Sequence, residues 1–335
     1  MFGRLLQDYL DYYKISQTEF AESLGISKKH LNEILNGKTN LSIELMIGIS
    51  LLTDIDVNLI AFMEEKRKDN IYLHERFKSD KDIKDYLNTF CINDIVKKGW
   101  LRLRDSSSLT QNYMDLKKYL GIRDIDNYRS LLERQYVFKK NDEDINIKIA
   151  LWVTHCNHLI KDIEVCDYDS SRLNELLLEL KKERLKKFDK DRLVDIFKNY
   201  GIILIVEEPL KGTKIRGCCK VKVKTPVIYM TTMYKNKASF YYTLYHEISH
   251  IKTDYNLLKN KAIVLHEEKD CDNYALNQMI PNDVWEVLKA RPKNYNEICI
   301  KNSIPLSFYY SRLAYEKIIS YRSREYNEHM EKIEL

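Results

Sequence analysis

Tyr241–Asn256 reads YYTLYHEISHIKTDYN, with a Glu-Ile-Ser insert enclosed by two histidines. A helix advances about 100° per residue, so His246 and His250 leave the same side about one turn apart. Two imidazoles at that separation can bind one tetrahedral zinc ion at about 2.0–2.1 Å each. Glu247 stands beside them, where a carboxylate can take a proton from metal-activated water and hand it to a leaving amine. This is the chemistry of metal-assisted peptide hydrolysis. It requires a further ligand, and Glu268 opens the stretch EKDCDNYALNQMIP eighteen residues after His250. Glu268 and Asp272 are four apart and share a helix face. Glu268 is the expected third ligand, and Asp272 is placed to accept a hydrogen bond from the far ring nitrogen of a ligating histidine. Acids at a helix N-terminus also serve simply to complement its dipole, and Glu267 and Asp270 read that way.

The elements that must position these groups follow from periodicity. In ASFYYTLYHEISHIK, Phe240, Leu244, Ile248 and Ile251 form one apolar face, while Thr243, His246, Glu247 and His250 lie on another. Upstream, GIILIVE, RGCCKVKVK and TPVIYMT are short β-branched runs bounded by Gly212, Gly217 and Pro226. They predict a small, mostly antiparallel sheet. The final stretch, IKNSIPLSFYYSRLAYEKIISYR, reads as a helix pair broken at Ile304-Pro305, a packing element before it is a substrate-selecting one.

The order TPVIYMTTMYKNKASFYYTLYHEISHI…EEKDCDNYALNQMIP resembles the ImmA/IrrE family of zinc metallopeptidases. That family pairs H-E-x-x-H with a downstream E-x-x-x-(D/N)-x-x-A…P segment, matched here by Glu268, Asp272, Ala275 and Pro281. The resemblance spans about residues 110–335. It implies a gluzincin-like α+β peptidase that cleaves a repressor-type protein. Ser249 and Asp254 stand where the family often has Gly and a further His; neither is a ligand position, so the departures bear on substrate fit.

The opening residues carry a different chemistry. Phe2, Leu5, Leu6, Tyr9, Leu10 and Tyr13 define one helical face. Ser16 with Glu19 is a capping box for a second helix through Leu24, and Gly25 can take the positive φ of a tight turn. Ser27 caps a third helix, Lys28 to Leu35, stopped by Asn36-Gly37, and Ser42 caps a fourth. Two short helices about a Gly-Ile-Ser turn form a helix-turn-helix, whose second helix enters the DNA major groove. Lys28, Lys29 and Asn32 are placed for base edges, Gln17 and Lys38 for phosphates. A helical bundle used only for dimerisation is the competing reading. The stretch SQTEFAESLGISKKHLNEILNGK resembles the lambda-repressor-like (XRE) domain, and LTDIDVNLIAFMEEKRKD looks like its HigA antitoxin branch, over about residues 1–70.

Between these ends, residues 71–190 read as helices with few breakers. Leu180–Arg192 alternates charge sign and reads as one solvated helical face. The serine-rich DSSSL before Thr110–Tyr113 reads as a hinge. His155 and His158 share a helix face but lack further ligands nearby, so they read as ordinary helix histidines.

Whole-chain numbers bound these readings. The 335 residues suffice for more than one domain, and only 9 Gly and 5 Pro favour long helices. Seven scattered cysteines without a C-x-x-C pair fit reduced thiols, and no export signal or apolar span is expected. A cytoplasmic protein is therefore expected. Residues 1–70 hold 8 Lys/Arg against 11 Asp/Glu, so DNA contact must rest on local charge placement. The expected organisation is multidomain: an all-α helix-turn-helix domain (1–70), a helical connection (71–190) and an α+β, gluzincin-like metallopeptidase domain (191–335). The expected function is a DNA-binding transcriptional regulator, dimeric on double-stranded operator DNA. It is fused to a zinc endopeptidase acting on a repressor, antitoxin or toxin protein. The alternative is a HigA-like antitoxin or repressor whose zinc site is structural or sensory.

Overall fold

The computed structural model describes residues 2–128, 130, 147–260 and 268–333; the side chains of residues 257, 260 and 268 lie outside that description. The protein is multidomain and mostly helical, with an N-terminal helix-turn-helix and a small sheet. It divides into two compact units, Met1–Ile125 and Asp126–Leu335. The division falls at Ile125, not at 70 and 190, so the stretch 71–190 belongs partly to each unit.

In the first unit, helices α1 (Phe2–Tyr13), α2 (Gln17–Ser23), α3 (Lys28–Leu35), α4 (Ile43–Thr53) and α5 (Val57–Arg76) close on one core. Leu6, Leu10, Phe20, Leu31, Ile49 and Ile60 fill it. Caps fix where each short helix begins. Ser16 Oγ accepts from the Glu19 amide at 3.2 Å while Glu19 Oε2 accepts from the Ser16 amide at 2.9 Å. Ser27 Oγ accepts from the His30 amide at 3.1 Å and Ser42 Oγ from the Leu45 amide at 3.2 Å, capping α3 and α4. Each such cap contributes about 1 kcal/mol, a large fraction of what a seven- or eight-residue helix needs to persist. Buried Glu64 accepts from Leu41 N at 3.2 Å and from Arg67 Nη2 at 2.8 Å, and Arg67 Nη1 donates to Gly37 O at 3.0 Å. This ties the loop after α3 to α5.

Helices α6 (Asp80–Asn88), α7 (Ile92–Lys97) and α8 (Leu109–Leu120) complete the first unit. Lys117 of α8 donates to Asp69 at 2.8 Å and Glu65 at 2.9 Å on α5. The serine-rich stretch before α8 is not a hinge. Ser108 caps α8, and Thr110, Gln111, Asn112 and Tyr113 are all buried, so the serines start a packed helix.

The second unit contains α9 (Ile147–Leu159), α10 (Leu173–Glu183) and α11 (Lys190–Asn199), then strands β1 (Ile203–Val206), β2 (Gly217–Lys222) and β3 (Thr225–Met230). The strand order is β1-β3-β2. β2 and β3 are antiparallel with Cys219 opposite Ile228, but β1 and β3 are parallel with Ile203 opposite Val227. The sheet is therefore mixed, not mostly antiparallel. The link from β1 to β2 crosses over, and it leaves β2 on an edge.

Leu180–Arg192 is also not one solvated helix. The helix ends at Glu183, Asp189 caps α11, and Arg184 is buried. Its guanidinium donates to the carbonyls of Gln278, Met279 and Ser303. Those acceptors sit at helix ends, where carbonyls otherwise lack partners, so the charge is used inside.

Helix α12 (Lys237–Asn260) lies against the sheet. Phe240, Leu244, Ile248 and Ile251 are all in the core beneath it, together with Ile228, Met230 and Leu204. Helices α13 (Glu268–Met279), α14 (Asn282–Ala290), α15 (Tyr295–Lys301), α16 (Leu306–Tyr315) and α17 (Arg324–His329) follow. Pro305 N-caps α16, and Phe308 and Tyr309 join the same core, which makes the Ile304-Pro305 break a packing element. Among the described residues, no helix is long and apolar enough to cross a membrane.

Candidate functional site

Two regions gather chemistry-bearing side chains, one in each unit. In the first, α2 and α3 are joined by a turn in which Gly25 has φ +69°, a conformation open to glycine at no steric cost. Lys28, Lys29, Asn32 and Lys38 are exposed on or just after α3. Asn32 Oδ1 accepts from Asn36 Nδ2 at 2.6 Å, which orients the amide and leaves its N–H groups to donate outward. Gln17 is only half exposed and donates to Gln7 Oε1 at 2.8 Å, so part of its hydrogen-bonding capacity is engaged within the unit.

In the second unit, α12 carries the histidine pair and α13 faces it. His246 Nδ1 lies 2.9 Å from Asp272 Oδ1, and His250 Nδ1 lies 3.1 Å from Asp254 Oδ2. The same Asp272 oxygen accepts from Tyr242 OH at 2.6 Å. Burial first, then Asp272, push the Tyr242 phenol far up, so it stays protonated and holds the carboxylate in place. A carboxylate beside each Nδ1 favours a proton there, the tautomer that frees Nε2 for an ion.

Those two Nε2 atoms face one another at 3.2 Å. A contact of that length is satisfied by a proton on one nitrogen or by a metal ion shared between the two lone pairs. Bonds of about 2.05 Å at a tetrahedral angle would set the nitrogens about 3.3 Å apart. The pair is thus spaced for an ion. Among the described residues, His246, His250 and Cys271 form a group whose ligand atoms lie within 4.8 Å of one another and could hold a metal ion. Cys271 Sγ, however, is 3.5 Å from Nδ1 of His250, on the ring edge already turned to Asp254. The Nε2 pair, not the thiol, is thus the centre of the arrangement. Glu268 opens α13, but its side chain lies outside the described residues. His155 and His158 contribute to no such group among the described residues.

Glu247 is buried beside the pair. A Cβ on Gly217 would stand 3.0 Å from Glu247 Oε1 and from Thr243 Cγ2, so any larger residue at the start of β2 would make these side chains shift by a few tenths of an ångström. The Cys219 thiol hydrogen-bonds Glu247. Burial, reinforced by the Glu247 charge, pushes the thiols of Cys218 and Cys219 well above the usual range, so both are neutral. Cys219, Gly217, Tyr242 and Asp254 are parts of this arrangement that the spacing argument did not single out. Helical register could have found Asp254, four residues after His250, and Tyr242, four before His246. Nothing local marks the strand residues.

Comparison with known proteins bears on the first region. A helix-turn-helix family profile matches residues 8–60. The chain belongs to that family through this segment and is a DNA-binding regulator of the helix-turn-helix kind. It is similar to the ImmF control region 10 kDa protein of Bacillus phage phi105, 32% identical over 62 residues, which are 18% of this chain and 69% of that protein. No solved structure matches the chain.

For DNA reading, Lys28→Ala and Asn32→Ala should each weaken or relax operator recognition by about 1–3 kcal/mol per lost base contact. Selection of bound sequences followed by binding titrations at fixed salt would measure it. Unchanged affinity and sequence preference in both variants would contradict α3 as the reading helix.

Proposed function

We propose that the chain couples an operator-binding helix-turn-helix to a zinc-dependent endopeptidase of the ImmA/IrrE kind, acting on a repressor, antitoxin or toxin protein. The observation that carries the reading is the pair of Nε2 atoms facing at 3.2 Å, each ring held through its Nδ1 by a carboxylate, with buried Glu247 adjacent. A purely structural metal site is closed by its ligands and has no use for a buried carboxylate next to them.

His246 and His250 would hold the ion, with Glu268 as the third ligand. When bound, zinc supplies Lewis-acid polarisation of the scissile carbonyl and activation of water. Asp272 and Asp254 keep both rings in the ligating tautomer. Tyr242 fixes Asp272. Glu247 accepts the proton of the attacking water at a carboxylate oxygen and returns it to the leaving nitrogen. Its neighbour Gly217, lacking a side chain, lets edge strand β2 come close against the carboxylate. Cleaving a repressor in trans, or the chain's own middle segment in cis, would separate operator binding from its control. A regulator that reads operator DNA works in the cytoplasm.

Purified protein should carry about one zinc per chain. Incubation with candidate repressors should give discrete fragments by mass spectrometry. Absence of bound metal after reconstitution would sink the reading.

A dimer is supported by α4, where Ile43, Ile47 and Leu51 recur every fourth residue and are 72%, 47% and 80% exposed. A helix stripe this apolar is a contact face, and a second copy on a two-fold operator is its natural occupant. Leu51→Glu should convert the protein to a monomer in sedimentation, whereas an unchanged mass would remove α4 from the interface.

A further inference from the structure

The catalytic residues occupy only part of the α12 surface. Ser239 and Tyr242, which precede His246 on the same helix face, line a cavity of about 450 Å³ within the second unit. Its wall has two arginines, five tyrosines and no Asp or Glu among the described residues. Arg216 is exposed there, its guanidinium 4.8 Å from the Tyr234 ring centroid and donating to Tyr234 OH at 3.2 Å. Among the described residues, no carboxylate forms an ion pair with it. Arg312 is 8% exposed, donates from Nε to Glu316 at 2.8 Å, and leaves Nη1 without a hydrogen-bond partner among the described residues. Arg312, packed 5.2 Å from the Trp285 ring centroid and paired with Glu316, adds positive potential from behind the wall, so exposed Arg216 is the donor a carboxylate guest would meet.

We propose that this cavity is the specificity pocket of the peptidase and takes the carboxylate of an acidic substrate residue. The inference rests on the peptidase reading above. Two connections join the pocket to the reacting groups. Tyr242 reaches His246 through Asp272, and Arg216 immediately precedes Gly217, the residue that lies against Glu247. Ser239 and Tyr242 precede His246 by seven and four residues, about 10 and 6 Å along the helix. An extended peptide advances about 3.3 Å per residue, so the acidic residue sits two or three positions from the cleaved bond. Tyrosine hydroxyls and guanidinium groups both donate to a carboxylate, whereas a lysine in the same place would face two like charges.

The test uses zinc-loaded full-length protein and pools of twelve-residue peptides with Glu, Gln or Lys fixed at each position, with free or amidated C-termini. The same pools, fluorescently labelled, are titrated onto Glu247→Gln protein by anisotropy. At one position, two or three residues from the cut, Glu should exceed Gln at least tenfold in kcat/KM, and exposed Arg216→Gln should erase the preference. A preference confined to free C-termini would assign the pocket to a terminal carboxylate in place of a side chain. Equal cleavage of the Glu, Gln and Lys pools at every position would overturn the proposal. If nothing is cleaved, Arg216-dependent binding of Glu pools keeps the pocket while the peptidase reading falls. Binding without any preference for Glu removes the pocket.

Discussion

Glu247→Gln should leave the protein folded and able to bind metal while lowering cleavage of its protein substrate by about 10²–10⁴-fold, the usual contribution of a positioned general base. Gln matches Glu in volume, so the close approach of Gly217 and the contact with Cys219 survive the change. What is lost is basicity at the oxygen beside the histidine pair. The carboxylate is buried, and its removal relieves an unfavourable charge there, so stability should stay level or rise. Metal content, thermal midpoint and fragment yield are the three measurements. Equal cleavage by both proteins would exclude Glu247 as the base. If the variant instead performed the complete cellular role without cleavage, the antitoxin-like reading would prevail, with the metal structural or sensory.

The same residues show which parts of the protein can be read from sequence. The helix-turn-helix was legible because its signals are local. Ser16, Glu19, Ser27 and Ser42 each cap a helix within three residues of themselves, and Gly25 needs only its own φ. The apolar face of α12 was legible for the same reason, since periodicity reports burial directly. The parallel pairing of β1 with β3 was not, because strand direction depends on a crossover that leaves no mark in either strand. Arg184 shows the opposite failure. A charged residue in a charged run looks solvated, yet three distant carbonyls draw it inside. The serines before α8 fall between these cases: their composition suggests a loose segment, but Ser108 is a cap and the next turn is buried.

At the candidate metal centre, register explains Asp254 and Tyr242, which share a helix with the histidines, and spacing alone reaches Asp272 on the next helix. Gly217 and Cys219 come from a strand some thirty residues upstream. Their relation to Glu247 exists only once β2 is laid against α12. The strand therefore packs against the Glu247 carboxylate, while the helices bring the two histidines and Asp272 together.

His246→Ala should abolish tight zinc binding, while Asp272→Asn should retain it with affinity lowered about 10–100-fold. The difference follows from what each side chain does. Removing His246 deletes one of the two facing Nε2 atoms, and His250 alone cannot close a tetrahedral set. Replacing Asp272 leaves both rings present but takes the negative charge from His246 Nδ1, so the ligating tautomer loses its preference and Nε2 becomes a weaker donor. It also strips the anionic acceptor from the Tyr242 hydroxyl, which loosens the ring's support from a second side. Competition against a chromophoric chelator would rank wild type, Asp272→Asn and His246→Ala in that descending order. Tyr242→Phe should fall between wild type and Asp272→Asn, because it removes one hydrogen bond but no charge. Zinc affinity unaltered by both His246→Ala and Asp272→Asn would place the ion elsewhere, whereas loss in Asp272→Asn as complete as in His246→Ala would make the carboxylate itself a ligand.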